Sequence, residues 1–127
     1  MNFSKMASVM IIGLAVSFIA SDAAAKLPES TILNCFHPEG AILVGGDGFC
    51  IQEKDLGGGA SICIKYQGTI NYKGVITKND YQLTFEFEIM QRPRDGLILC
   101  RYTPVSDSSP ISPDSGCRLR NWHVCGS

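Results

Sequence analysis

His37 and His123 are the two histidines of this 127-residue chain. A pair of imidazoles near arginine and lysine suits acid–base cleavage of RNA, one ring serving as base and the other as acid. Glu86 or Glu88, with an arginine and a histidine, would serve the same reaction. Yet His37 lies in the turn sequence His37-Pro38-Glu39-Gly40, and His123 follows Trp122 near the end of the chain, neither inside a recognisable motif. Glu86 and Glu88 also project from one strand face, about 6.5–7 Å apart by strand geometry, a spacing that suits a glycosidase carboxylate pair. Alternating charges on a solvated strand face account for them more simply, because such charges discourage edge-to-edge pairing. Catalysis by His37, Glu86 and His123 therefore stands as the alternative reading.

Binding chemistry is better represented. Trp122 is the single tryptophan, and on strand spacing Arg118, Arg120 and Trp122 share one face. Exposed, this combination has the composition of a protein-binding hot spot. Buried, it is a core tryptophan with arginines laid over its ring. Tyr66 and Tyr72, together with Trp122, would form a glycan-binding platform if all three rings were exposed. The alternative for the tyrosines is a long bent strand in which they pack over neighbouring glycines. Gly45-Gly46-Asp47-Gly48 and Gly57-Gly58-Gly59 lack the lysine and hydroxyl partner of a phosphate loop, and they read as turns. No Cys-x-x-Cys pair occurs, so the short zinc-site spacings are missing and no cofactor is expected.

The elements that must position these residues follow a period of two. Tyr81, Leu83, Phe85, Phe87 and Ile89 alternate with Gln82, Thr84, Glu86 and Glu88, which predicts a strand over Tyr81–Met90 with one buried face. Pro93-Arg94-Asp95-Gly96 then turns the chain into Leu97–Tyr102, giving the clearest hairpin. Further short apolar runs, at Thr31–Phe36, Ala41–Val44, Phe49–Gln52, Ser61–Gln67, Thr69–Thr77 and Cys117–Val124, are separated by glycine-rich punctuation. No stretch after the first 25 residues sustains helical spacing for ten residues. The expected fold is all-β: a small disulfide-stapled sandwich or barrel of about six to eight short strands. Pro104–Gly116, rich in proline and serine, is expected as a long surface loop.

Residues 1–25 read as an export signal. Lys5 supplies the charged start, Ala7–Ala20 the apolar stretch, and Ala23-Ala24-Ala25 the cleavage site. The apolar stretch is too short for a membrane span of about 20 residues, so no membrane anchor is expected. The working protein is then a single domain over residues 26–127, with Lys26–Ser30 as a mobile leader. Cys35, Cys50, Cys63, Cys100, Cys117 and Cys125 all fall within it, and in an oxidising space they read as three disulfides with no free thiol. Their pairing is open among fifteen connectivities. A Cys117–Cys125 link would close only a small loop, whereas links to earlier strands stabilise more by restricting the unfolded chain. Net charge is −1, which argues against a nucleic-acid partner bound through overall charge.

An export signal, about a hundred further residues, an even cysteine count, β patterning and no catalytic motif together resemble the small secreted cysteine-rich effectors of plant-pathogenic fungi. Asn34-Cys35-Phe36 in the first run, with Cys50 after it, is similar to the ToxB-like β-sandwich effectors. That family has six short strands in two sheets tied by a bridge from the first strand, so the resemblance carries over to Cys35. It departs in length, in two extra cysteines and in the proline-serine loop. The resemblance implies a virulence-type protein that binds a host or other extracellular protein and catalyses nothing. Arg118, Arg120 and Trp122, beside the Pro104–Gly116 loop, are the expected contact surface. A secreted ribonuclease-like enzyme or toxin and an extracellular glycan-binding module are the alternatives.

Overall fold

The computed structural model describes residues 26–126. The expected export signal, residues 1–25, lies outside them. The chain runs α1 (Glu29–Phe36), β1 (Ala41–Gly57), β2 (Ala60–Gly74), β3 (Asp80–Gln91), β4 (Ile98–Asp107), a 3₁₀ turn (Arg118–Arg120) and β5 (His123–Gly126). The five strands form one antiparallel meander in the order β1-β2-β3-β4-β5. All-β with three disulfides is therefore the architecture, but as a single open sheet. The expected six to eight short strands are five, two of them long, and no second sheet or barrel closure is present among the described residues.

The alternation in β3 does what its spacing dictates. Leu83, Phe85, Phe87 and Ile89 are buried on the inner face, opposite Thr84, Glu86 and Glu88. Ile70 and Tyr72 of β2 and Ile98, Cys100 and Tyr102 of β4 continue this core. The hairpin expected at Pro93–Gly96 joins β3 to β4, and Phe87 is paired with Tyr102 in register.

The inner face is covered by α1, where a strand segment was expected at Thr31–Phe36. Ile32, Leu33 and Phe36 fall at i, i+1 and i+4, which puts all three on one side of a helix. Pro28 precedes the first turn, which carries Glu29, and both favour a helix start. Lys26–Ser30 is correspondingly no free leader. Leu27 packs against the core, its backbone N–H donates to the Tyr102 hydroxyl at 2.7 Å, and Glu29 and Ser30 belong to α1.

β1 is continuous through Gly45-Gly46-Asp47-Gly48, so this is not the turn its glycines suggested. The glycines are needed for close approach. A Cβ on Gly46 would come within 2.5 Å of a Glu29 carboxylate oxygen, and one on Gly48 would strike the Tyr66 hydroxyl. Gly57-Gly58-Gly59 does form the β1–β2 turn, all three at positive φ.

The disulfides are Cys35–Cys117, Cys50–Cys63 and Cys100–Cys125, with no free cysteine among the described residues. As expected, Cys117 and Cys125 do not pair with each other. Cys125 bridges to β4, while Cys117 bridges to α1 rather than to a strand.

Candidate functional site

Against the covered inner face, the outer face of β3, β4 and β5 holds a continuous set of side chains. Met90, Leu99 and Val124 are register partners across the three strands. Leu99 is buried between them, while Met90 and Val124 are exposed at 40% and 57%. On the next rung Lys65 of β2, Glu88 and Arg101 are partners. Arg101 donates from Nε to Glu88 Oε1 at 2.7 Å and lies over the Trp122 ring, 4.5 Å from its centroid. Trp122, immediately before β5, keeps 38% of its surface exposed. Glu88 thus fixes Arg101 over Trp122 within the chain itself. Such prior ordering reduces the side-chain entropy lost on docking.

Of the three residues expected to share one strand face, only Trp122 is here. The Cys35–Cys117 link draws the following residues into the 3₁₀ turn Arg118–Arg120, which breaks strand alternation. Arg120 instead covers the Phe36 ring and donates from Nε to the Asp114 carbonyl, and Arg118 is exposed on the turn. Pro104–Asp107 belongs to β4, so the expected loop begins at Ser108. That loop is tied down by Ser108 N–H to the Gln82 carbonyl and Asp114 N–H to the Phe36 carbonyl. The side chain that meets Trp122 instead is Arg101. Its signal was the hairpin itself, since pairing Tyr81–Met90 with Leu97–Tyr102 sets Arg101 opposite Glu88.

The alternative acid–base set is not brought together. His37 is buried, with Nε2 at 2.5 Å from Asp107 Oδ2 and Nδ1 at 3.0 Å from Glu39 Oε2. His123 is opposite Cys100, seven residues along β4 from Asp107, or roughly 23 Å at strand rise. Its Nδ1 lies 2.8 Å from the Asn121 carbonyl, and its ring faces that of Tyr102. Glu86 is on the outer face, 3.5 Å from Lys65. The glycan platform is likewise dispersed. Tyr72 is buried, Tyr66 packs over Gly48 with Lys26 above its ring, and Trp122 stands on the opposite face of the sheet.

The buried cluster around His37 acts as a structural pin. The Tyr72 hydroxyl donates to Asp107 Oδ1 at 2.7 Å, and the Ser109 N–H donates to the same oxygen at 2.9 Å. These contacts join the α1–β1 connection, β2 and the end of β4. Burial, and then the Asp107 carboxylate beside it, push the Tyr72 phenol well above its ordinary value, and burial raises Tyr102 as well. The folded protein therefore holds these protons at a pH where the unfolded chain has released them. Stability is fully present below the ordinary tyrosine value of about 10 and falls as pH rises through it. The midpoint of urea unfolding, measured from about pH 8 to 11, is expected to drop above about pH 10 and to drop less in Tyr72→Phe. Equal alkaline slopes in the two proteins would remove Tyr72 as a cause.

Comparison with protein-family models, with curated proteins and with solved structures finds no match for this chain.

Proposed function

We propose that the protein is exported and works by binding another extracellular or host protein through the Arg101–Trp122 face, in the manner of the cysteine-rich effectors it resembles. The observation that carries this reading is the guanidinium held by Glu88 over a partly exposed tryptophan, beside exposed Met90 and Val124. Tryptophan and arginine are the residue types that dominate interface energetics, and the neighbouring apolar groups supply the water-excluding surround. Three disulfides suit an extracellular setting, and among the described residues no helix is long and apolar enough to cross a membrane.

The test begins with a partner identified by crosslinking to the disulfide-bonded protein in host extracts. Trp122→Ala and Arg101→Glu, each checked for native circular dichroism, are expected to weaken that complex by about 2 kcal/mol or more, roughly thirtyfold. Arg118→Glu, on the turn outside this face, is expected to leave it within a factor of about two. Unchanged affinity in both face variants would remove the surface. RNA cleavage by the parent protein that disappears in His37→Ala and His123→Ala would replace binding by catalysis.

A further inference from the structure

A cavity of about 610 Å³ opens at the end of the inner face, between the β1–β2 hairpin and the β3–β4 turn. No residue of α1 lines it. Its floor is Ile62, Ile64, Ile89 and Ile98, contributed by three strands that bring their inward positions side by side. Lys54 of β1, the register partner of Ile62, and Arg92 of the β3–β4 turn stand at its wall.

The two cations are not equivalent. Arg92 is held by both carboxylate oxygens of Asp95, through Nε at 3.0 and 3.2 Å and Nη2 at 2.6 Å, so its charge is met. Lys54 forms no ion pair among the described residues. Its acidic neighbours along β1 are engaged elsewhere: Glu53 accepts from the Ser61 hydroxyl, and Asp55 accepts from the Gly57 N–H. The result is an apolar chamber with one exposed ammonium, outside any ion pair, at its wall.

We propose that this cavity binds a single-tailed carboxylate, a free fatty-acid anion, with its hydrocarbon chain on the isoleucine floor and its carboxylate at the Lys54 ammonium. The volume lies within the roughly 300–1,000 Å³ range of small-molecule sites, and an apolar lining with one orienting charge is their usual composition. A cationic amphiphile would meet Lys54 with like charge. A neutral one would gain nothing from that ammonium, and a polar nucleotide would find few partners on an isoleucine floor.

Calorimetric titration with hexanoate, octanoate and decanoate, all below their aggregation concentrations, tests the assignment. Affinity is expected to rise about fourfold per added methylene until the chamber is filled, the increment that hydrocarbon burial supplies. Lys54→Glu, a substitution at an exposed position, is expected to weaken decanoate at least tenfold without weakening 1-decanol. Ile64→Trp, which narrows the chamber over its isoleucine floor, should weaken both. If that variant does not fold, Lys54→Glu and the chain-length series still decide the matter. The proposal is overturned by the lack of saturable decanoate binding, by affinity independent of chain length, by Lys54→Glu binding decanoate as the parent does, or by decyltrimethylammonium binding as tightly as decanoate.

Discussion

Replacing Cys35 and Cys117 together by alanine is expected to cost about 4–5 kcal/mol, the largest loss of any disulfide in the molecule. The bridge spans 82 residues of chain, against 25 for Cys100–Cys125 and 13 for Cys50–Cys63. A crosslink restricts the unfolded chain in proportion to the logarithm of the loop it closes, which gives about 4.5, 3.5 and 3 kcal/mol in that order. The native-state consequences reinforce the ranking. Cys117 is buried, and the link holds the end of α1 beside the segment that carries Asp114 N–H to the Phe36 carbonyl and Arg120 over the Phe36 ring. Cys50–Cys63 staples neighbouring strands of a largely exposed hairpin that the β1–β2 ladder already aligns. Urea unfolding of the three double-alanine variants under non-reducing conditions gives the order directly. Against a total of roughly 5–15 kcal/mol, loss of the first bridge leaves a marginal fold. A Cys50/Cys63 variant weaker than the Cys35/Cys117 variant would overturn the ranking.

What could be read in the sequence is what local period controls. Phe85 and Phe87 were placed inside by alternation alone, and the turn at Pro93–Gly96 gave the β3–β4 pairing. Six cysteines gave three bridges, but only the folded chain brings Cys35 within 5.4 Å of Cys117, Cα to Cα. α1 escaped because its eight residues carry three core side chains, too few to stand out from a short strand. β1 looked like two strands because Gly45–Gly48 has turn composition; the reason for the glycines, the Glu29 carboxylate and the Tyr66 ring above them, comes from α1 and from β2. The strand face expected for Arg118, Arg120 and Trp122 was lost in a similar way. Arg118 and Arg120 are near Trp122 in sequence, but Arg101 is near it in space, because cross-strand neighbours are set by register rather than by chain distance. A sandwich or barrel was expected from many short, glycine-punctuated runs; a half-buried sheet needs a second layer, and here α1 supplies the cover that a second sheet would have given.

Truncation of Phe87 to alanine is the expected loss of comparable size within the core, about 3–5 kcal/mol. Phe87 is 2% exposed, and its ring is stacked on that of Tyr102 with centroids 4.7 Å apart. Tyr102 is itself fully buried, and its hydroxyl accepts from the Leu27 N–H, so the ring cannot swing into a vacated space without breaking that bond. A cavity that its surroundings cannot fill is the costly kind, because the lost transfer free energy is joined by lost packing contacts. The matched control is Phe49→Ala. Phe49 lies on β1 at 59% exposure, so the same deletion of atoms is expected to change stability by no more than about 0.5 kcal/mol. Urea midpoints of the two variants, with unchanged slopes, separate burial from residue type. Equal costs at the two positions would mean that the inner face of β3 is not where the molecule keeps its core.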